Sequence, residues 1–138
     1  PKAEALKMQL KEINPYLNIK ADVIKITHQN CEQLLKEDDI ICEAFDVPQE
    51  KAMFVNAVCE FYPQKKLVAA SGMAGYGNSN AIRTRKLMKN FYLCGDEKTG
   101  IEDGMGLMAP RVALCAAHQA NQIIELIAEN ENTSSILR

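Results

Sequence analysis

Two short, wholly apolar runs, Ile40-Ile41-Cys42 and Leu67-Val68-Ala69-Ala70, flank a helical pattern from Gln49 to Phe61. Strands apolar on both faces, rather than alternating, belong to parallel sheets covered on both sides. Parallel neighbours need a crossover connection. The Gln49–Phe61 segment supplies one, with Met53, Ala57 and Phe61 at four-residue spacing, joined by Phe54 and Val58. This unit constrains the chain to an α/β fold.

The flanking segments extend that reading. Lys2 to Ile13 is amphipathic, with Leu6, Leu10 and Ile13 at helical spacing, and Asn14-Pro15 stops it. Ile19, Ala21, Val23 and Ile26 fit a strand, and Asn30 to Lys36 a short helix. Ile82–Lys86 and Asn90–Cys94 read as two short strands of a hairpin, followed by a glycine-rich loop to Gly106. Pro110 opens a long apolar helix over Arg111–Ala128, and the residues from Glu129 onward are expected to fray. A crossover helix that opens the chain with no strand before it leads us to expect a sheet incomplete at its amino-terminal side.

Composition excludes several classes. A length of 138 residues suits one domain. The net charge of −2 offers no basic excess for nucleic acid, and no apolar run reaches the ~20 residues of a membrane span. Five cysteines, an odd number without a CxxC pair, point away from a disulfide framework and toward a reducing cytoplasm. They also give no reason to expect zinc.

Several residues carry candidate chemistry. Asp46 follows the Ile40–Cys42 strand at its carboxyl end, where open α/β sheets collect ligands. A carboxylate there either holds Mg²⁺ or caps the helix beginning near Pro48. Glu43 lies three residues earlier, on the opposite face of an extended chain. Lys2 is either a phosphate contact or a solvated surface lysine. Ser71 to Asn80 (SGMAGYGNSN) matches neither GxGxxG nor GxxxxGK[ST], and reads as a turn or the floor of an open groove. Met73, Met88, Met105 and Met108 near the glycines suit either a core or an adaptable interface. Cys94 in CGD is a candidate loop thiol, and His118 a structural histidine on the last helix.

Taken in order, PKAEALKMQLKEINP, DIICEAFDVPQEKAMFVN, VAASGMAGYG, RTRKLMKNFYLCGD and GMGLMAPRVALCAAHQANQIIELI resemble segments of the ThiF/MoeB/HesA family, relatives of ubiquitin-activating enzymes. The resemblance covers about Pro1 to Ile127 and is nearest to a ThiF-like branch. It implies a Rossmann-like, mostly parallel sheet with helices on both faces. It implies that residues 1–128 are the carboxy-terminal part of an adenylation domain, with 129–138 a frayed tail. The implied activity is ATP- and Mg²⁺-dependent adenylylation of the carboxy-terminal glycine of a ubiquitin-like sulfur carrier, ThiS-like, for the thiamine thiazole. By the same resemblance Asp46 matches the Mg²⁺-binding and catalytic aspartate, Lys2 a nucleotide phosphate contact, and Asn56 the helix asparagine of that motif. The carrier is assigned to the surface around Ser71, Gly72, Met73, Gly75 and Tyr76, and a homodimer is implied.

This sequence departs from the family pattern in three ways. The GxGGxGS loop and the ribose-binding acid do not occur in it, so the chain alone is expected to be inactive as an enzyme. The zinc-holding CxxC pairs are reduced to Cys94, and Val47 replaces the usual asparagine. The rival reading is a non-catalytic module that binds a carrier or partner on the same fold. A third reading, an enzyme acting on a small metabolite, lacks any nucleophile–base pair in the sequence.

Overall fold

The computed structural model describes residues 1–100 and 104–136, with side chains as far as residue 131. Its centre is a four-stranded sheet built from β1 (Ile40–Cys42), β2 (Lys66–Ala70), β3 (Arg83–Met88) and β4 (Phe91–Gly95), in the order β1-β2-β4-β3. β1, β2 and β4 run parallel, and β3 closes the edge as the antiparallel arm of a hairpin. The helices are α1 (Lys2–Ile13), α2 (His28–Leu34), α3 (Pro48–Phe61) and α4 (Ala109–Ile136). The mostly parallel α/β fold expected from the two apolar runs is the one observed.

Two cores lie on opposite faces of the sheet. On one side Ile41 and Leu67 pack with Cys31 of α2 and with Phe54, Ala57 and Val58 of α3. On the other, Val68, Ala70, Tyr92 and Cys94 pack with Cys115 and Leu126 of α4. The split follows from the two-residue period of a strand: Leu67 faces α3, while Val68 and Ala70 face α4 on either side of Ala69. Apolar residues on both faces are what the unbroken run in β2 requires.

Local signals explain most boundaries. α3 begins with Pro48 in its first turn and ends at Tyr62, just before Pro63. α2 starts at His28, ahead of the expected Asn30, because Thr27 and Asn30 form a reciprocal capping box. Asn30 is thus the third residue of the helix rather than its start.

Two expectations are corrected. Residues 19–26 form no strand; they make no ladder to any strand among the described residues, and Val23 and Ile24 are exposed. Alternation makes a segment eligible for a sheet, but only a partner's backbone groups make it a strand. Likewise α4, expected over Arg111–Ala128, runs from Ala109 to Ile136. Glu129–Asn132 contains neither glycine nor proline, so nothing local ends the helix when the apolar pattern stops. α1 forms as expected but buries none of its residues.

The carboxyl ends of β2 and β4 come unusually close. Ser71 N donates to Cys94 O at 2.8 Å and Asp96 N to Gly72 O at 2.9 Å. A Cβ on Gly95, at φ 141°, would lie 1.5 Å from Ser71 O, and one on Gly72, at φ 69°, would lie 2.0 Å from the Asp96 carboxylate. Only glycine allows this approach. Just beyond it, Asp96 pairs with Arg111 of α4, both side chains only 5% exposed. Arg111 also donates to Gly77 O at 2.6 Å. Asp96 further accepts from Lys98 N, Thr99 N and Thr99 Oγ1. This clamp fixes the start of α4 and the glycine-rich loop against the end of β4.

Burial by itself raises the Asp96 carboxyl, but the hydrogen bonds from Thr99 and Lys98 and the Arg111 charge outweigh it, leaving Asp96 below its ordinary value. A depressed carboxyl stabilises the fold above the unfolded value of 3.8 and loses that contribution as pH falls through the lower folded value. Acid denaturation followed by circular dichroism will therefore show stability falling below pH 3.8. The Asp96→Asn variant, weaker at neutral pH, will lack this component of the acid slope.

Gly95→Ala will fail to fold or lose more than about 3 kcal/mol in urea titration, since the new Cβ meets backbone that cannot give way. Gly77→Ala, where φ is 73° but the space is open, will lose only about 1 kcal/mol.

Candidate active site

Because β1, β2 and β4 are parallel, their carboxyl ends open on one side of the sheet. There α3 packs over β1 and β2 and reaches β4 at Phe91. The result is a cleft of about 560 Å³ between α3 and the sheet. Its walls are apolar, including Val55 of α3, Ala69 of β2, and Phe91 and Leu93 of β4. Its polar groups are few: Asp46 and Asn56, Lys51, Ser71 and Thr99. An apolar hollow with a few polar groups at one end is the usual form of a binding site.

The floor is held by Glu43. This residue ends the β1 run and is fully buried, at 0% exposure. Its carboxylate accepts from Phe45 N at 2.5 Å and from Ala70 N at 3.3 Å, and pairs with Lys51 Nζ at 3.1 Å. Lys51 also donates to Ala70 O at 2.7 Å. The Glu43 backbone carbonyl accepts from Gln119 Nε2 of α4 at 2.9 Å. A buried carboxylate needs both a counter-charge and hydrogen bonds. Here one lysine and two backbone amides meet that need.

Asp46 lies at the mouth. The helix cap of α3 is Val47, without a side-chain hydrogen bond, so Asp46 does not cap that helix. Its carboxylate is 78% exposed and 3.6 Å from Lys2 Nζ, itself 98% exposed. The structure thus brings together the two residues, far apart in sequence, that the resemblance singles out as metal and phosphate contacts. Asn56, on the exposed side of α3, lines the same cleft, as do Ser71, Gly72 and Met73. Gly75 and Tyr76 do not line it. Gly75 is buried beneath Met105, which a Cβ there would meet at 2.9 Å, and Tyr76 is 82% exposed.

The donor chemistry fits a hard divalent cation, which takes one or two protein carboxylates and completes its shell from water and phosphate. Asp46 supplies one such oxygen, uncommitted to a cap. Among the described residues no group of three or more His, Cys, Asp or Glu side chains converges.

Cys94 is not a loop thiol. It is a buried residue of β4, and desolvation pushes its thiol up, only partly countered by a contact with Thr84. Cys115 is likewise raised, to about 11, by burial first and by neighbouring Cys94. Neither presents a nucleophile. His118 takes the structural role expected, with Nδ1 3.1 Å from Thr84 Oγ1.

Sequence reasoning missed the Glu43–Lys51 pair. The available signal was an acid directly following an apolar strand, with a base in the first turns of the next helix. Glu43 was placed on the face away from Asp46 and not connected to any base.

A family model described as the ThiF family matches residues 1–137. The adenylyltransferase and sulfurtransferase UBA4 of Lodderomyces elongisporus is 24% identical over 132 residues, covering 91% of this chain and 28% of that protein. Among solved structures, Escherichia coli tRNA N6-threonylcarbamoyladenosine dehydratase, TcdA, in complex with ATP, superposes with a TM-score of 0.75 at 14% identity. That match covers 95% of this chain and 65% of the dehydratase. The AMP complex of TcdA gives a TM-score of 0.75 at 15% identity, covering 95% and 66%. The chain therefore spans less than a third of the curated relative and about two thirds of the solved structures. With a family model that spans nearly every residue and a fold shared with TcdA, the chain belongs to the ThiF family.

Proposed function

We propose that this chain forms the metal- and acceptor-facing part of an adenylylating site, residues 1–128 being the carboxy-terminal part of the domain, and that the whole protein activates the terminal carboxylate of a ubiquitin-like sulfur carrier. The observation that supports this most is the pairing of Asp46 with Lys2 at the mouth of the cleft. The adenylyltransferase UBA4 and the ATP and AMP complexes of TcdA agree with nucleotide use in the family. A ThiS-like carrier in thiazole synthesis is the specific form we assign.

The reaction joins two anions. A carboxylate oxygen of the acceptor bonds to the α-phosphorus of ATP, the bond to the bridging oxygen breaks, and pyrophosphate leaves with that electron pair. When bound, Mg²⁺ would supply positive charge against the phosphates. Asp46 offers the carboxylate that would hold the ion, and Lys2 adds positive charge beside it. Asn56 contributes a neutral amide to the same wall. Ser71, Gly72 and Met73 give the acceptor a surface within the cleft, and Gly75 and Tyr76 extend it outside.

We further assign a cytoplasmic location, consistent with free cysteines at all five positions. Among the described residues no helix is long and apolar enough to cross a membrane. A homodimer through α4 is supported by its outward apolar residues Leu114, Ile124 and Ile127, which are exposed in the single chain. The second reading, a carrier-binding module without catalysis, draws on the predominantly apolar walls of the cleft.

Asp46→Ala in the whole protein will lower carrier-dependent ATP–pyrophosphate exchange by at least about 100-fold. It will leave the melting temperature nearly unchanged, because the side chain is exposed and caps nothing. Exchange at the wild-type rate would remove Asp46 from the chemistry. Carrier binding unaffected by ATP, with no exchange at all, would favour the binding module.

Ile124→Asp combined with Ile127→Asp will shift the species seen in sedimentation velocity from dimer to monomer while retaining the circular dichroism of the fold. A wild-type chain that sediments as a monomer at micromolar concentration would end the dimer assignment.

A further inference from the structure

The adenylylation reading leaves open what holds the acceptor's carboxylate before it reacts. Among the described residues lining the cleft, Lys51 is the one cation. Its side chain is 22% exposed, so it is neither fully buried nor freely solvated. An ammonium group has three N–H donors. One is donated to Ala70 O at 2.7 Å, and the Glu43 carboxylate is an ion-pair partner 3.1 Å away. Those two contacts leave one donor for the cleft.

We propose that Lys51 binds the carboxylate of the acceptor, resting on the adenylylation reading above. Three features support it. First, the ammonium is immobilised: Glu43 is 0% exposed and fixed by two backbone amides, so its partner cannot swing away without leaving a buried charge unpaired. Second, the surrounding walls are apolar, and a charge–charge contact is strengthened where water is sparse. Third, Lys51 shares the cleft with Asp46, so a carboxylate held on Lys51 lies beside the group that would hold the metal. Lys51 is then a binding residue, and Glu43 positions it.

The test is an equilibrium measurement that requires neither ATP nor turnover. In the full chain, ¹³C-labelled at lysine, N-acetylglycine is titrated while the Lys51 side-chain methylene resonances are followed. The control ligand is N-acetylglycinamide, which has the same shape without the charge. Saturable shifts at Lys51 with the acid, and none with the amide, are expected. Glu43→Gln/Lys51→Met, which removes both charges together, should weaken the acid at least about tenfold, as the loss of a charged hydrogen bond does. Lys51→Arg should retain binding.

Unmoved Lys51 resonances, or equal responses to acid and amide, would overturn the proposal, and both are read on the wild-type chain even if the double variant does not fold. AMP shifting Lys51 while N-acetylglycine does not would also overturn it, because the lysine would then serve the nucleotide. Loss of pyrophosphate exchange in Asp46→Ala tests the adenylylation reading separately, so the two failures are distinguishable.

Discussion

The structure depends on one buried carboxylate. Glu43 sits where β1, β2, α3 and α4 converge, and each of them bonds to it. Phe45 N closes the turn after β1, Ala70 N fixes the end of β2, Lys51 anchors α3, and Gln119 reaches the backbone from α4. Such a charge is costly to bury, and replacing a buried pair by apolar residues often costs a protein nothing in stability. Its value here is geometric. The four bonds converge from both faces of the sheet, so the relative placement of the two helical layers is set at this point. Removing only one member would leave an uncompensated charge in the centre of the fold, and so the pair is retained or lost as a unit.

The second constraint is steric. Gly72 and Gly95 allow the chains leaving β2 and β4 to touch, which no residue with a Cβ could do. Ser71 and Gly72, at that contact, also line the cleft. The Asp96–Arg111 clamp then keeps the loop there by attaching it to α4.

How far the sequence was readable follows from the kind of signal each part carries. β1, α3, β2 and β4 were legible because their apolar residues report burial directly, whereas β3, RTRKLM and mostly exposed, was legible as the hairpin arm that precedes β4. Residues 19–26 misled because alternation reports eligibility for a sheet without reporting a neighbour. The far end of α4 misled for the opposite reason, since a helix needs no apolar pattern to continue. At the site, Asp46 and Lys2 could be proposed from position and resemblance. The Glu43–Lys51 pair could not be read as a pair, because it joins a strand end to a helix across a turn. Only three-dimensional contact shows that the two side chains point to one place. Cys94 was misread because CGD looks like a loop, whereas β4 runs through Gly95 and buries the thiol.

The two ion pairs of the cleft differ in a way that divides their work. Lys2–Asp46 lies in solvent, where such a pair contributes only about 0–1 kcal/mol and side chains rearrange freely. Asp46 can therefore exchange its lysine for another cation at little cost, as a metal-binding carboxylate must. Glu43–Lys51 is enclosed, and its geometry does not yield to a passing ligand. On the proposed adenylylation reading, a site that joins two anions needs both kinds of charge: one that adapts as phosphate and metal arrive, and one that stays fixed so that the acceptor meets them in a defined position. The chain leaving β1 provides both, Glu43 buried directly after the strand and Asp46 exposed at the bend before α3.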